Sequence, residues 1–133
     1  MKKCLLIFLL VCFSSCTKEN EDTAQPQTLL ARIEKSCSNT DNETIREIIQ
    51  EYVNETSSTK EYQYVLKAKY EGKTIFVLGN CCPNCNSVIM AYDCSGDYLG
   101  YVDSTNGGRE NAIDDNKITD KEKLWPKTPN CGF

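Results

Sequence analysis

The chain contains no histidine. That single absence removes the commonest general base, every Cys–His or Ser–His–Asp relay and the usual transition-metal ligand. No run reaches the ~20 apolar residues that a membrane-spanning helix needs. A basic cluster is missing as well: 15 Lys and Arg stand against 19 Asp and Glu, for a formal net charge of −4. Nucleic acid and anionic lipid headgroups are therefore poorly matched partners. What the chain has in excess is cysteine, nine in 133 residues.

The N-terminus accounts for three of the nine. Met1-Lys2-Lys3 precedes a short apolar run over residues 4–13, then Ser14-Ser15-Cys16. A positive start, an apolar core and small residues before a break are the parts of a secretory signal peptide. Phe13-Ser14-Ser15-Cys16 resembles the bacterial lipobox, with Phe13 where leucine is usual. In that motif cleavage precedes a cysteine that already carries a diacylglyceryl thioether, and palmitate is among the acyl chains. Two or more chains make a stable anchor, at ~0.8 kcal/mol per buried methylene. Thr17, in place of the aspartate tied to inner-membrane retention, favours the outer membrane. Lys18-Glu19-Asn20-Glu21-Asp22 resembles the tag that carries Bacteroidota lipoproteins to the cell surface, and equally reads as a solvated linker. Asp22-Thr23-Ala24 and Asp103-Ser104-Thr105 match the O-glycosylation pattern of that phylum, a pattern short enough to recur by chance. The expected organisation is a signal peptide over 1–15, a lipidated tether over 16–26 ending in Pro26, and one disulfide-rich α+β domain over 27–133.

Within that domain, Leu29, Leu30, Ile33 and Cys37 recur at helical spacing. Thr40-Asp41-Asn42-Glu43 has the spacing of a capping box for a second helix, which carries the stripe Ile45, Ile48, Ile49, Tyr52, Val53. Tyr62, Tyr64, Leu66, Ala68 and Tyr70 then alternate with Gln63, Val65, Lys67 and Lys69, the period of two that a strand shows. Glu71-Gly72 is placed as a hairpin turn. Closing it pairs Tyr70 with Lys73, Ala68 with Ile75, Leu66 with Val77 and Tyr64 with Gly79. The face Tyr64, Leu66, Ala68, Ile75, Val77 is expected to meet the core. Residues 88–92 and 98–102 read as a second hairpin, and 103–133 as loop. The expected fold is α+β: an N-terminal helical region on a four-stranded antiparallel sheet, cross-linked by disulfides.

Removing Cys4, Cys12 and Cys16 leaves Cys37, Cys81, Cys82, Cys85, Cys94 and Cys131, an even set that reads as three disulfides in an exported domain. Cys81 and Cys82 are adjacent, which disfavours a bond between them. Cys85 and Cys94 stand at opposite ends of one strand, ~25 Å apart. Cys37 and Cys131 are therefore the expected partners of the turn. Cys82-Pro83-Asn84-Cys85 also has the spacing of a thiol–disulfide oxidoreductase. However, a β-rich segment follows it where such enzymes open a helix, and the remaining chain is too short for the rest of that fold. A zinc site needs reduced thiolates, which export opposes. Asp114-Asp115-Asn116 with Asp120 lacks the glycine and the alternate oxygens of a calcium loop. The tyrosines at 52, 62, 64, 70, 92, 98 and 101 are strand packing on one reading and a glycan- or peptide-binding face on the other.

Gly72-Lys73-x-Ile75-Phe76, Cys81-Cys82-Pro83-x-Cys85-Asn86-Ser87, Tyr92-Asp93-x-x-Gly96 and Leu124-Trp125 together resemble small Bacteroidota lipoproteins of unknown function with a vicinal-cysteine hairpin. The resemblance implies a secreted, disulfide-bonded α+β domain with no catalytic residue to carry over. The expectation is a lipid-anchored outer-membrane or cell-surface protein that binds a protein or glycan and needs no cofactor. The alternatives are an oxidoreductase using Cys82 and Cys85, and a protease-inhibitor-like domain.

Overall fold

A computed structural model describes residues 26–37, 40–103, 110–126 and 131. The expected signal peptide, the expected tether through residue 25 (Cys16 and Asp22-Thr23-Ala24 included) and Ser104-Thr105 lie outside the described residues. Helix α1 (Pro26–Ser36) opens on Pro26, where a missing N–H costs nothing because a first-turn amide has no intrahelical partner. The residue expected to end the tether therefore starts the helix. Leu29, Ile33 and Cys37 are buried, as their spacing predicts.

Helix α2 (Glu43–Asn54) buries Ile45, Ile49 and Val53. Its expected capping box does not form. Asn42 occupies the cap position and makes no side-chain capping bond. The Glu43 amide donates to Asp41 Oδ1 at 3.2 Å instead. Thr40 lies two residues too early, with its own amide donating to the Cys37 carbonyl at 3.0 Å.

Strands β1 (Gln63–Tyr70) and β2 (Lys73–Asn80) form the expected hairpin in the expected register, from Tyr70 opposite Lys73 to Tyr64 opposite Gly79. Glu71 and Gly72 both take positive φ, 50° and 78°, as a two-residue turn matching strand twist requires. Strands β3 (Met90–Asp93) and β4 (Tyr98–Asp103) add to β2 as an antiparallel meander.

The sheet is not four-stranded and not wholly antiparallel. Residues expected to be loop supply β5 (Ala112–Asp114), parallel to β4, and β6 (Ile118–Trp125), antiparallel to β1. The order across the six strands is β5-β4-β3-β2-β1-β6. β5 and β6 are thus opposite edges of one sheet, yet only a 3-10 turn over Asp115–Lys117 joins them. Four Cα steps from Asp114 to Ile118 reach at most ~15 Å. A flat sheet of this order would hold its edges ~24 Å apart. The sheet is therefore rolled into an open barrel.

Rolling gives the sheet two cores. Tyr64, Leu66, Ala68, Ile75, Val77 and Ala91 meet Ile113 and Ile118 on the inside. The helices pack on the other face, where Leu29, Ile33, Ile45, Ile49 and Val53 meet Val65, Phe76, Leu78 and Leu124. The face expected to meet the core is buried, but against the rolled strands. The helices cover the other face, which mixes Val65, Phe76 and Leu78 with Lys67, Lys69 and Thr74. Its lysines survive there because Lys67 pairs with Glu122 and the Lys69 Nζ donates to Thr74 Oγ1 at 3.1 Å.

Candidate functional site

The six cysteines of the domain form three disulfides: Cys37–Cys94, Cys81–Cys131 and Cys82–Cys85. Cys131 meets the turn as expected. Cys37 does not. The β3–β4 turn packs on the start of α2, so closely that a Cβ on Gly96 would stand 2.7 Å from Thr44 Cγ2. Cys94, in that turn, is thereby delivered to Cys37 at the end of α1, with Cα atoms 5.6 Å apart. Cys82 and Cys85, left without distant partners, close on each other across the turn.

That turn is held from both sides. Asn80 Oδ1 accepts the Cys82 amide at 2.9 Å, and Asn80 Nδ2 donates to Thr59 Oγ1 at 2.9 Å. The Cys81 amide donates to the Tyr62 carbonyl at 3.0 Å. Cys82 and Cys85 are half-buried, while Pro83 and Asn84 between them are exposed. Residues 86–89 run irregularly into β3, so no helix N-terminus faces the pair. The usual means of favouring a thiolate in a Cys-x-x-Cys motif is absent from this turn.

The acidic loop does not gather ligands. Asp114 Oδ1 accepts from the Asn116 amide at 3.0 Å and from Asn116 Nδ2 at 2.9 Å, and Asp115 pairs with Lys121 at 2.8 Å. Among the described residues no three His, Cys, Asp or Glu side chains are grouped so as to hold a metal ion.

The tyrosines divide by strand face. Tyr64 is buried inside the barrel, its ring lying over Gly79, where any Cβ would collide with it. Tyr52 donates from α2 to the Gly79 carbonyl at 2.6 Å. Burial first, then Tyr64 and Glu55, pushes its phenol well above the ordinary tyrosine range, so it stays a donor. Tyr92, Tyr98 and Tyr101 form a separate strip. Tyr92 lies opposite Tyr98, and Met90 opposite Tyr101, with a register shift that leaves Leu99 as the extra residue. Such a bulge puts residues three apart on one face. The Tyr92–Tyr98 and Tyr98–Tyr101 ring centroids are each 5.6 Å apart, tilted by 59° and 73°. Tyr98 is 46 % exposed, Tyr101 44 % and Leu99 37 %. Desolvation by its neighbours and a hydrogen bond with Tyr101 push the Tyr98 phenol up to about 12. Gly100, next to the bulge, takes φ 142° and leaves no room for a Cβ against the Asn111 carbonyl.

Compared with family models, with curated proteins and with solved structures, the chain matches none.

Proposed function

We propose that this chain is a lipid-anchored, non-enzymatic binding domain of the outer membrane, held there by acyl chains on Cys16 and carried to the cell surface by its acidic tether. The observation that supports a binding role is the exposed strip of Tyr98, Leu99 and Tyr101 on a scaffold cross-linked by three disulfides. Rigid, amphipathic tyrosines give contact area at low entropic cost. The anchor rests on Phe13-Ser14-Ser15-Cys16 after the short apolar run. No helix among the described residues is long and apolar enough to cross a membrane.

Metabolic labelling with an alkyne fatty acid tests the anchor. Wild type should take label and partition into detergent, and Cys16→Ser should do neither. Label retained by Cys16→Ser ends the lipoprotein reading. For the binding role, the purified chain immobilised on beads should retain a discrete partner from surface extracts, and Tyr98→Ala with Tyr101→Ala should release it.

A second reading, thiol–disulfide exchange at Cys82–Cys85, is favoured by the closure of that pair. Turnover in an insulin-reduction assay that disappears in Cys82→Ser would establish it. A structural staple gives no turnover in either protein.

A further inference from the structure

We propose that the groove between α1, β1 and β6 binds a phosphate monoester, at a site separate from the tyrosine strip. Three observations carry this inference.

Charge is the first. Among the described residues, Arg32, Lys35, Ser36, Lys67, Glu122 and Leu124 line a cavity of about 380 Å³. These walls bring three cations to one carboxylate, although the chain as a whole is acidic. Glu122 is fully engaged: its Oε1 takes Arg32 Nη2 at 2.8 Å and its Oε2 takes Lys67. The Lys35 ammonium has no hydrogen-bond or ion-pair partner among the described residues. Three cations less one carboxylate leave two positive charges in the groove. A phosphate monoester carries about −1.5 to −2 near neutrality and offsets them. A sulfate ester or a lone carboxylate, with one charge, offsets half.

Placement is the second. Arg32 also donates to the Leu124 and Lys123 carbonyls at 3.0 and 2.9 Å, so β6 fixes the guanidinium independently of Glu122. Lys35 follows Arg32 by three positions, which puts both on one face of α1. Lys67 extends from β1 toward Glu122. A ligand therefore meets cations already in position, and little side-chain freedom is lost in binding it. Phosphate oxygens accept charge-assisted hydrogen bonds from guanidinium and ammonium groups alike.

The resident carboxylate is the third. Hydrogen bonds from Lys67 and Arg32 hold the Glu122 carboxyl below the usual carboxylate range. The groove thus already favours negative charge beside the position given to the ligand. No stretch of sequence marks it, because Arg32, Lys67 and Glu122 meet only through folding.

The test is calorimetric titration of the full chain, in nonionic detergent, with glucose 6-phosphate, glucose 6-sulfate and glucose. The phosphate should half-saturate the site at or below about 1 mM and bind at least about fivefold tighter than the sulfate. Lys35→Gln should weaken binding at least about threefold. Glu122→Gln removes the competing charge, keeps an acceptor for Arg32, and should tighten binding by a similar factor. Lys117→Gln, an equal charge change in the turn before β6, should leave it within about twofold. Cooperative melting of each variant will show that it folds. Half-saturation above about 1 mM overturns the proposal, as does equal binding of the sulfate. So does undiminished binding by Lys35→Gln, which would leave Lys35 as a helix-terminal cation. A loss in Lys117→Gln matching that in Lys35→Gln reduces the effect to net charge and also overturns it, as does weaker binding by Glu122→Gln. Dihexanoyl phosphatidate in the same micelles separates the sources: tighter binding than the sugar phosphate assigns a lipid headgroup, and equal binding a soluble ester. Failure here leaves the binding-domain reading standing, because the bead experiment tests the tyrosine strip with its own variants.

Discussion

Tyr52 and Gly79 show how one contact fixes two layers. The α2 phenol caps a carbonyl of β2 at 2.6 Å, and Gly79 exists to admit the Tyr64 ring from the opposite face of the sheet. Tyr52→Phe should cost about 0.5–1.5 kcal/mol in denaturant unfolding, the net value of one hydrogen bond. Gly79→Ala should cost about 1–3 kcal/mol through overpacking against Tyr64. An unchanged midpoint in both would remove this junction from the account. Glu122 gives a pH signature. Hydrogen bonds from Lys67 and Arg32 hold its carboxyl below the usual carboxylate range. A carboxylate lowered by folding contributes fully above its unfolded pKa of about 4.3, and loses that contribution as pH falls through the folded value. Its side chain is 46 % exposed, so Glu122→Gln should cost no more than about 1 kcal/mol at neutral pH. The difference should vanish in strong acid. A gap that widens on acidification would contradict the sign.

Among the elements, the β1–β2 hairpin was legible in the sequence because two local signals agreed: strict alternation and a Glu71-Gly72 turn of fixed length. Its register followed residue by residue. The helical stripes were legible for the same reason. β6 was not, because Thr119, Asp120, Lys121, Glu122 and Lys123 are all polar, and Asp120 breaks the pleat with φ 51°. Charged side chains and bulges are how edge strands are kept from pairing with other molecules. A strand so protected loses the apolar alternation by which strands are recognised. The faces of the hairpin were hidden for a different reason. Both are buried, and only β5 and β6 decide which one the helices take. The cysteine partners depended on where the β3–β4 turn docks, which no spacing encodes. The tyrosines were visible as residues, but the bulge at Leu99 that aligns Tyr98 with Tyr101 was not. α1 meets β6 through Arg32, which donates to the Leu124 and Lys123 carbonyls at 3.0 and 2.9 Å and to Glu122 at 2.8 Å. Arg32→Ala should cost about 1 kcal/mol. Amide exchange should quicken along α1 and hold steady in the β1–β2 hairpin. Uniform acceleration would mean that α1 is held elsewhere.

At the scale of the whole molecule the three disulfides have different weights. Cys37–Cys94 and Cys81–Cys131 span 57 and 50 positions, while Cys82–Cys85 spans three. On the chain-entropy model the long loops contribute about 4 kcal/mol each and the short one about 2, against a typical total of about 5–15 kcal/mol. The paired serine replacements at Cys37 and Cys94 should therefore lower stability about twice as much as those at Cys82 and Cys85. Equal losses would show that the short bridge orders more than its own turn. The bridge between β5 and β6 has a consequence of another kind, in the order of events as the chain is made. A ribosome delivers β1 long before β6, yet β1 has β6 for a neighbour, and Cys81 must wait for Cys131. The hairpin and the helices can assemble as they emerge, but one edge of β1 stays bare until β6 has been made. β6 therefore closes the fold, and a chain cut before Ile118 leaves its first strand open.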